Sequence, residues 1–173
     1  MDVGYAQHIG QLPVAIAVKL RAPLVVNSLA QVVEELAANS VDAQATVVSI
    51  KVDVSSLSLT VQDDGHGVDQ ASFSSLAVHH ATSKLKDLKQ LTFGVTTLGF
   101  KGEALASIAD MSLLHITSKA RGSFETHMRL LKGGKVLKQG LAQEQRQKTG
   151  TIVCLKDFMF NQPVKRRQYL QSQ

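Results

Sequence analysis

The chain has 173 residues and a mass of 18.7 kDa; 44% of the residues are apolar and 19% charged, which supports one domain with a core and excludes fibrous and low-complexity chains. A single cysteine, Cys154, excludes an internal disulfide and a thiolate zinc cluster, and Pro13, Lys19, Arg21 and Pro23 interrupt the apolar stretch from Leu12 to Val26 too often for a bilayer span or a signal peptide. The net charge of +5 is unevenly spread: residues 1–118 carry 7 Lys/Arg against 11 Asp/Glu, and residues 119–173 carry 12 against 3, so the second part suits either nucleic-acid phosphates or a solvated basic surface.

These features lead us to expect a soluble intracellular protein. Ser28 is placed to cap a helix in which Leu29, Val32, Val33, Leu36 and Ala37 recur at spacings of three and four, as far as about Val41. Thr46–Val54 alternates in period two and is rich in β-branched residues; Leu57–Val61 repeats the pattern after Ser55 and Ser56, which predicts a hairpin. It leads into Asp63-Asp64-Gly65-His66-Gly67, whose glycines mark a turn. A short helix is predicted near Ala71–His79, followed by a long polar stretch ending at Gly99, and loops of that length inside a small domain are more often functional than idle. Gly102 and Glu103 open a second helix through Ala109. Strand-like runs follow at Leu113–Ser118, Glu125–Leu131 and Thr151–Leu155, with Gly133-Gly134 turning the chain between Leu131 and Val136. The order predicts an α+β sandwich, its antiparallel or mixed sheet covered by helices on one face, rather than a βαβ array.

Several residues are candidates for chemistry. Glu35 and Asn39 stand one turn apart on one helix face, with Asp42 farther along the same side. A carboxylate and an amide so placed can orient a water and offer oxygen to Mg²⁺; a solvated helix edge has the same pattern. Asp63 can accept the exocyclic amino proton of adenine, and having no proton to donate it disfavours guanine's carbonyl. Gly65 and Gly67 would let a flat base approach the main chain, although an Asx turn also explains this stretch. Thr82, Ser83 and Lys84 gather two hydroxyls and a cation, and Gly99-Phe100-Lys101-Gly102 runs into a helix start, where free N–H groups favour phosphate oxygens; a capped surface loop is the alternative for each. No GxxxxGK[ST] element is present, which excludes a P-loop mechanism. His79 and His80 receive no metal role, and Met111, Phe158 and Phe160 are assigned to the core. Lys165, Arg166 and Arg167 are candidates for DNA phosphates, for a nuclear-import signal or for a solvated helix end.

VVEELAANSVDA (residues 32–43), DDGHG (63–67), HATSK (80–84), GFKGEALASIADMS (99–112) and GTIVCLKDFMFNQPVKRR (150–167) occur in the order and spacing of one family. With them the chain resembles the N-terminal ATPase domain of the MutL DNA mismatch-repair proteins, and KLRAPLVVNSLAQVVEELAANSVDA is most similar to the meiotic branch, the subunit of the eukaryotic MutLγ heterodimer. The resemblance implies a Bergerat-type (GHKL) sandwich that binds ATP and Mg²⁺ under a lid. It implies Glu35 as general base, Asn39 as the magnesium-ligating amide, Asp63 as reader of adenine, Gly65 and Gly67 as walls of the base pocket and Thr151 as a second contact to the base. Thr82, Ser83 and Lys84 match the lid's phosphate-facing segment, and Gly99, Phe100, Lys101 and Gly102 the loop that wraps the triphosphate.

Three positions depart from the family pattern: Arg21-Ala22-Pro23 replaces its AGEV segment, Asp64 its asparagine, and Lys101 its arginine, which keeps the charge and loses the planar fork. Residues 1–173 are thus expected to form the N-terminal ATPase domain, ending before the family's second, lysine-bearing domain and its dimerisation domain, and to carry no nuclease. The expected activity is slow ATP hydrolysis as a conformational switch in a nuclear mismatch-repair or meiotic recombination factor. Its expected partners are a MutL-family subunit and DNA, with no membrane. The alternatives are a nucleotide-binding or interaction module without turnover and a histidine-kinase catalytic domain.

Overall fold

The computed structural model describes residues 26–79 and 103–172. Helix α1 (Leu29–Asp42) begins where expected, because Ser28 Oγ accepts the Gln31 N–H at 3.2 Å and satisfies one of the helix's unpaired donors. Its buried stripe is Leu29, Val32, Leu36 and Ser40. Strands β1 (Val48–Asp53) and β2 (Ser58–Asp63) form the predicted hairpin. After a four-residue α2 (Gln70–Phe73) come α3 (Glu103–Asp110), β3 (Leu113–Lys119), β4 (His127–Lys132), β5 (Lys135–Leu141), β6 (Gly150–Lys156) and α4 (Pro163–Gln171).

The described strands form one sheet in the order β1-β2-β6-β3-β4-β5, with every neighbouring pair antiparallel. β2 and β3 therefore run parallel, with β6 inserted between them. One face supplies Leu59, Val61, Leu114, Ile116, Leu131, Val153 and Leu155 to the core, against Leu29, Val32 and Leu36 of α1, Phe73 of α2 and Ile108 of α3. Each such side chain contributes about 1.5–3 kcal/mol on burial, which orients the helices over that face alone. The α+β expectation, with helices on one face, matches this architecture. Among the described residues no helix is long and apolar enough to cross a membrane.

The boundaries differ from the sequence expectation for identifiable reasons. β1 starts at Val48 rather than Thr46 because the Asp64 carboxylate takes the Thr46 and Val47 N–H groups at 2.7 and 2.8 Å. α2 stops at Phe73, short of His79: Arg129 donates Nη1 to the carbonyls of Phe73 and Ser74, and Ala77 sits at φ 57°. β4 starts at His127 because the Thr126 N–H goes to the Gln145 side chain at 2.8 Å. β5 has no strand signal in the sequence: its apolar residues Val136 and Leu137 are adjacent rather than alternating, and the strand is an exposed edge. α4 has Pro163 in its first turn and docks on α1, the Leu29 N–H donating to Tyr169 Oη at 3.3 Å. Met111 and Phe158 are buried as expected, whereas Phe160 is only half-buried, with Lys132 Nζ 5.4 Å from its ring centroid.

Candidate functional site

Three apolar stripes of the core face end in a polar residue at the same edge of the sheet. On β2 the inward positions are Leu59, Val61 and Asp63; on β3 they are Leu114, Ile116 and Ser118; on β6 they are Leu155, Val153 and Thr151. Register brings the three polar ends together: Ser118 pairs with Thr151, and the ladder of β2 with β6 reaches Gln62 and Ile152, one step from Asp63 and Thr151. α1 adds a fourth, Ser40, which continues the stripe of Val32 and Leu36 at a spacing of four.

Asp63 is 8% exposed, and main-chain donors hold one of its two carboxylate oxygens. Its Oδ1 accepts the N–H of Gly65 at 2.9 Å and of Thr151 at 3.1 Å. Oδ2 faces Ser40 Oγ at 3.4 Å, a hydroxyl that also donates to the Leu36 carbonyl at 3.1 Å. The Asp63 carbonyl accepts Arg146 Nη2 at 3.1 Å. Burial lowers the pKa of the Arg146 guanidinium and the charge of Asp63 opposes that shift. Thr151 Oγ1 is 2.9 Å from Ser118 Oγ, which itself accepts the Val68 N–H at 2.9 Å. One side of Asp63 is thereby fixed, while Oδ2 retains acceptor capacity beyond its long contact with Ser40.

The glycines serve the chain's own crossing. A Cβ on Gly65 would stand 2.7 Å from the Ala43 carbonyl oxygen, and one on Gly67, at φ 68°, would collide with the Lys119 carbonyl. His66 N–H donates to the Ala43 carbonyl at 2.9 Å, and Arg121 N–H to the His66 carbonyl at 2.8 Å. Residues 63–67 are therefore stitched between the end of α1 and the end of β3, which gives the glycines a physical reason distinct from ligand approach. Asp64 points its charge into this stitching. Its carboxylate accepts Thr46 Oγ1 at 2.6 Å as well as the Thr46 and Val47 N–H groups. The Thr46 hydroxyl first, then the Val47 N–H, lower its pKa to about 2.

Glu35 and Asn39 lie half-buried on α1, and Asn39 directly precedes Ser40. Lys165 and Arg166 are half-buried on α4, with Arg166 Nη2 3.6 Å from Asp157 Oδ1, whereas Arg167 is exposed. Thr82, Ser83, Lys84, Gly99, Phe100, Lys101 and Gly102 lie outside the described residues, as does His80. Sequence reasoning missed Ser40, Ser118 and Arg146. The first two carried a signal, a polar residue at an inward position of an apolar stripe; Arg146, in a polar loop, carried none. Among the described residues no group of three or more His, Cys, Asp or Glu is arranged to hold a metal ion. An amide oxygen and a carboxylate one turn apart nevertheless fit a hard cation that keeps most of its ligands from water and phosphate.

A family model described as histidine kinase-, DNA gyrase B- and HSP90-like ATPase matches residues 27–150. The chain is similar to the DNA mismatch repair protein MLH3 of Arabidopsis thaliana, 43% identical over 161 residues that cover 93% of this chain and 14% of that protein. It is 40% identical over 156 residues to the DNA mismatch repair protein MutL of Bacillus licheniformis, covering 90% of this chain and 24% of that one. The chain thus spans a quarter or less of the length of these relatives. Its fold matches the Aquifex aeolicus MutL ATPase domain complexed with ADP at a TM-score of 0.62 and 22% identity, over 85% of this chain and 53% of that one.

Proposed function

The chain belongs to the histidine kinase-, DNA gyrase B- and HSP90-like ATPases, as an N-terminal ATPase domain of the MutL type, and on that premise we propose that it binds ATP with Mg²⁺ and hydrolyses it slowly, as a conformational switch. The observation that carries the reading is Asp63: a buried carboxylate with Oδ1 held by two main-chain donors and Oδ2 able to accept another. A MutL ATPase domain of the same fold binds ADP.

In this reading Asp63 Oδ2 accepts the exocyclic amino proton of adenine, and Thr151, Gly65 and Gly67 hold the carboxylate and the turn around it. Thr151 Oγ1, oriented by Ser118, is a second polar contact to the base. Asn39 offers its amide oxygen to the cation, and Glu35 orients a water and takes its proton. Bound Mg²⁺ would neutralise charge on the phosphates. Thr82, Ser83, Lys84, Gly99, Phe100, Lys101 and Gly102 contact phosphate oxygens. In this reading the switch acts in the nucleus, with a MutL-family partner subunit and on DNA.

The test is a thermal-shift titration with a non-hydrolysable ATP analogue and Mg²⁺. Ligand at 100 times its Kd stabilises a folded domain by about 2.7 kcal/mol, so the transition rises with concentration. A transition that does not move with ATP analogue, or moves as much with a GTP analogue, rejects the reading.

A further inference from the structure

The sheet face opposite the helices carries a regular pattern of charge. One rung crosses all six strands as Lys51, Thr60, Cys154, His115, Leu130 and Lys138, so a lysine stands at each end of it. The neighbouring rung runs Lys156, Leu113, Lys132 and Lys135. On β2, β3, β4 and β6 these positions alternate with the buried ones, which puts both rungs on the uncovered face. Strands spaced about 4.8 Å apart set the main chains of Lys51 and Lys138 about 24 Å apart.

Lys51, Lys132, Lys135, Lys138 and Lys156 are all exposed, and among the described residues none of them is ion-paired. The contact of Lys132 with the Phe160 ring leaves its charge without a carboxylate. Of the strand residues on this face only Asp53 is acidic, and it is committed to its own turn: Oδ1 accepts the Ser55 N–H at 2.9 Å and Oδ2 the Ser56 hydroxyl at 2.8 Å. Leu113, Met128, Leu130 and Ile152 are half-buried between the lysines, so ammonium groups are what the face offers a partner. Lys51 and Lys156 also line a hollow of about 170 Å³ together with Asp53 and the hydroxyl-bearing Ser58 and Thr60. The charge of Lys156 is felt on the next strand: burial first, and then Lys156, lower the pKa of the His115 ring.

We propose that this open face is a docking surface for double-stranded DNA, one duplex lying across the sheet with phosphates on Lys51 and Lys156 toward one edge and on Lys132, Lys135 and Lys138 toward the other. A duplex carries one charge per about 1.7 Å of its axis, so a face about 24 Å wide meets more than enough phosphates for five ammonium groups. Ammonium groups act as point charges on the backbone and read no base sequence, so the contact orients the duplex without selecting it. The same charge repels a second copy of this face and opposes its burial under apolar chain. α4 lies on the other side of the sheet, docked on α1, so this surface is separate from Lys165, Arg166 and Arg167. The proposal rests on the reading that the chain acts on DNA and is independent of the nucleotide site.

The experiment measures binding of a labelled mixed-sequence duplex by fluorescence anisotropy across a salt series. It compares the wild-type chain with a double variant, Lys51→Gln with Lys156→Gln, and a triple variant, Lys132→Gln with Lys135→Gln and Lys138→Gln. Each lost phosphate contact reduces the slope of log K against log salt by about 0.9, so the double variant should lose about 1.8 and the triple about 2.7. The same positions changed to arginine keep their charge and should keep the wild-type slope. Weaker binding with an unchanged slope overturns the proposal, as does a slope that responds to only one of the two sets. A slope that responds to Arg167→Ala and to neither lysine set puts the duplex on the helix side and overturns it too. Lysine-dependent binding to phosphatidylserine vesicles, with duplex binding indifferent to the lysines, assigns the face to a membrane and overturns it. Absence of duplex binding by the wild-type chain at low salt removes the DNA reading and this proposal with it, whereas tight duplex binding that ignores the lysines removes this proposal alone.

Discussion

Thr151 donates its main-chain N–H to Asp63 Oδ1 at 3.1 Å, so the carboxylate at the end of β2 is oriented by the first turn of its neighbour β6 rather than by its own strand. Gly150 makes the approach possible: it sits at φ 116°, and a Cβ there would collide with the Asp63 carbonyl.

Asp63→Asn separates orientation from recognition. Asparagine's amide oxygen can still receive the Gly65 and Thr151 N–H groups, so the fold is retained. The other position becomes an N–H₂ donor, which repels adenine's amino group and suits guanine's carbonyl. Loss of a charge-assisted hydrogen bond costs about 1.5–3 kcal/mol, so ATP affinity should fall at least about tenfold and preference for ATP over GTP should narrow. Calorimetry with both nucleotides checks this; equal ATP affinity in the two proteins would remove Asp63 from the base site.

Glu35→Ala tests the general-base role proposed for this carboxylate. General-base catalysis is worth about 10²–10⁴ in rate, or roughly 3–5 kcal/mol, and it does not contribute to ground-state binding. The variant should lose ATP turnover by that factor and keep its nucleotide affinity, as read by steady-state hydrolysis beside equilibrium binding. Affinity falling in step with rate would mean that Glu35 holds the nucleotide instead.

How much of this is legible in the chain depends on whether a residue's reason lies along its own element or across to another. α1 and β2 are legible, because the stripe of Leu29, Val32 and Leu36 and the alternation of Leu59 and Val61 each state their own buried face, and β1 is legible from its β-branched alternation although it is exposed throughout. Asp63 is marked by its turn and by family resemblance. Ser40 and Ser118 are not, although each sits where its stripe calls for an apolar side chain. β5 has no pattern because its apolar residues Val136 and Leu137 are adjacent, and the early stop of α2 depends on Arg129, 56 residues from Phe73. The Asp64 departure reads in the sequence as an added charge beside a polyanion, and only the cross-chain hydrogen bonds of Thr46 and Val47 show where that charge is spent.

Asp64 therefore predicts acid behaviour. Its folded pKa, held down to about 2 by the Thr46 hydroxyl and then the Val47 N–H, lies below the ordinary value of 3.8, so the folded state binds its proton less readily than the unfolded state. The resulting stabilisation is fully present above about pH 4 and disappears as pH falls toward 2. Asp64→Asn, which has no such proton, should show a smaller drop in urea midpoint between pH 4 and pH 2 than wild type. Asp53, held down in the same way by Ser55 and Ser56, is common to both proteins and cancels in the comparison. Identical drops would show that the Thr46 and Val47 hydrogen bonds do not hold the Asp64 carboxyl below its unfolded value.

Gly67 and Gly122 provide an internal contrast for the stitched turn. Both have positive φ, 68° and 79°, but a Cβ on Gly122 meets nothing within 4 Å, while one on Gly67 collides with the Lys119 carbonyl. Gly122→Ala should cost only the left-handed backbone penalty of about 1–2 kcal/mol. Gly67→Ala adds a clash with main chain that cannot rotate away, and should cost clearly more by denaturant unfolding. Equal costs would mean that the end of β3 yields, and that residues 63–67 are held less tightly than their hydrogen bonds imply.

The basic residues of α4 differ in what they have left to offer a phosphate. Arg166 lies 3.6 Å from Asp157, and Lys165 is half-buried and partnered, whereas Arg167 is exposed. If this helix binds DNA, Arg167→Ala should weaken duplex binding more than Arg166→Ala, because freeing Arg166 from Asp157 offsets part of what it gains from a phosphate. Removing one phosphate-neutralising charge should reduce the slope of log K against log salt by about 0.9. Fluorescence anisotropy with a labelled duplex across a salt series reads both effects. An unchanged slope in Arg167→Ala would remove α4 from the DNA surface and leave its charges as a solvated helix end.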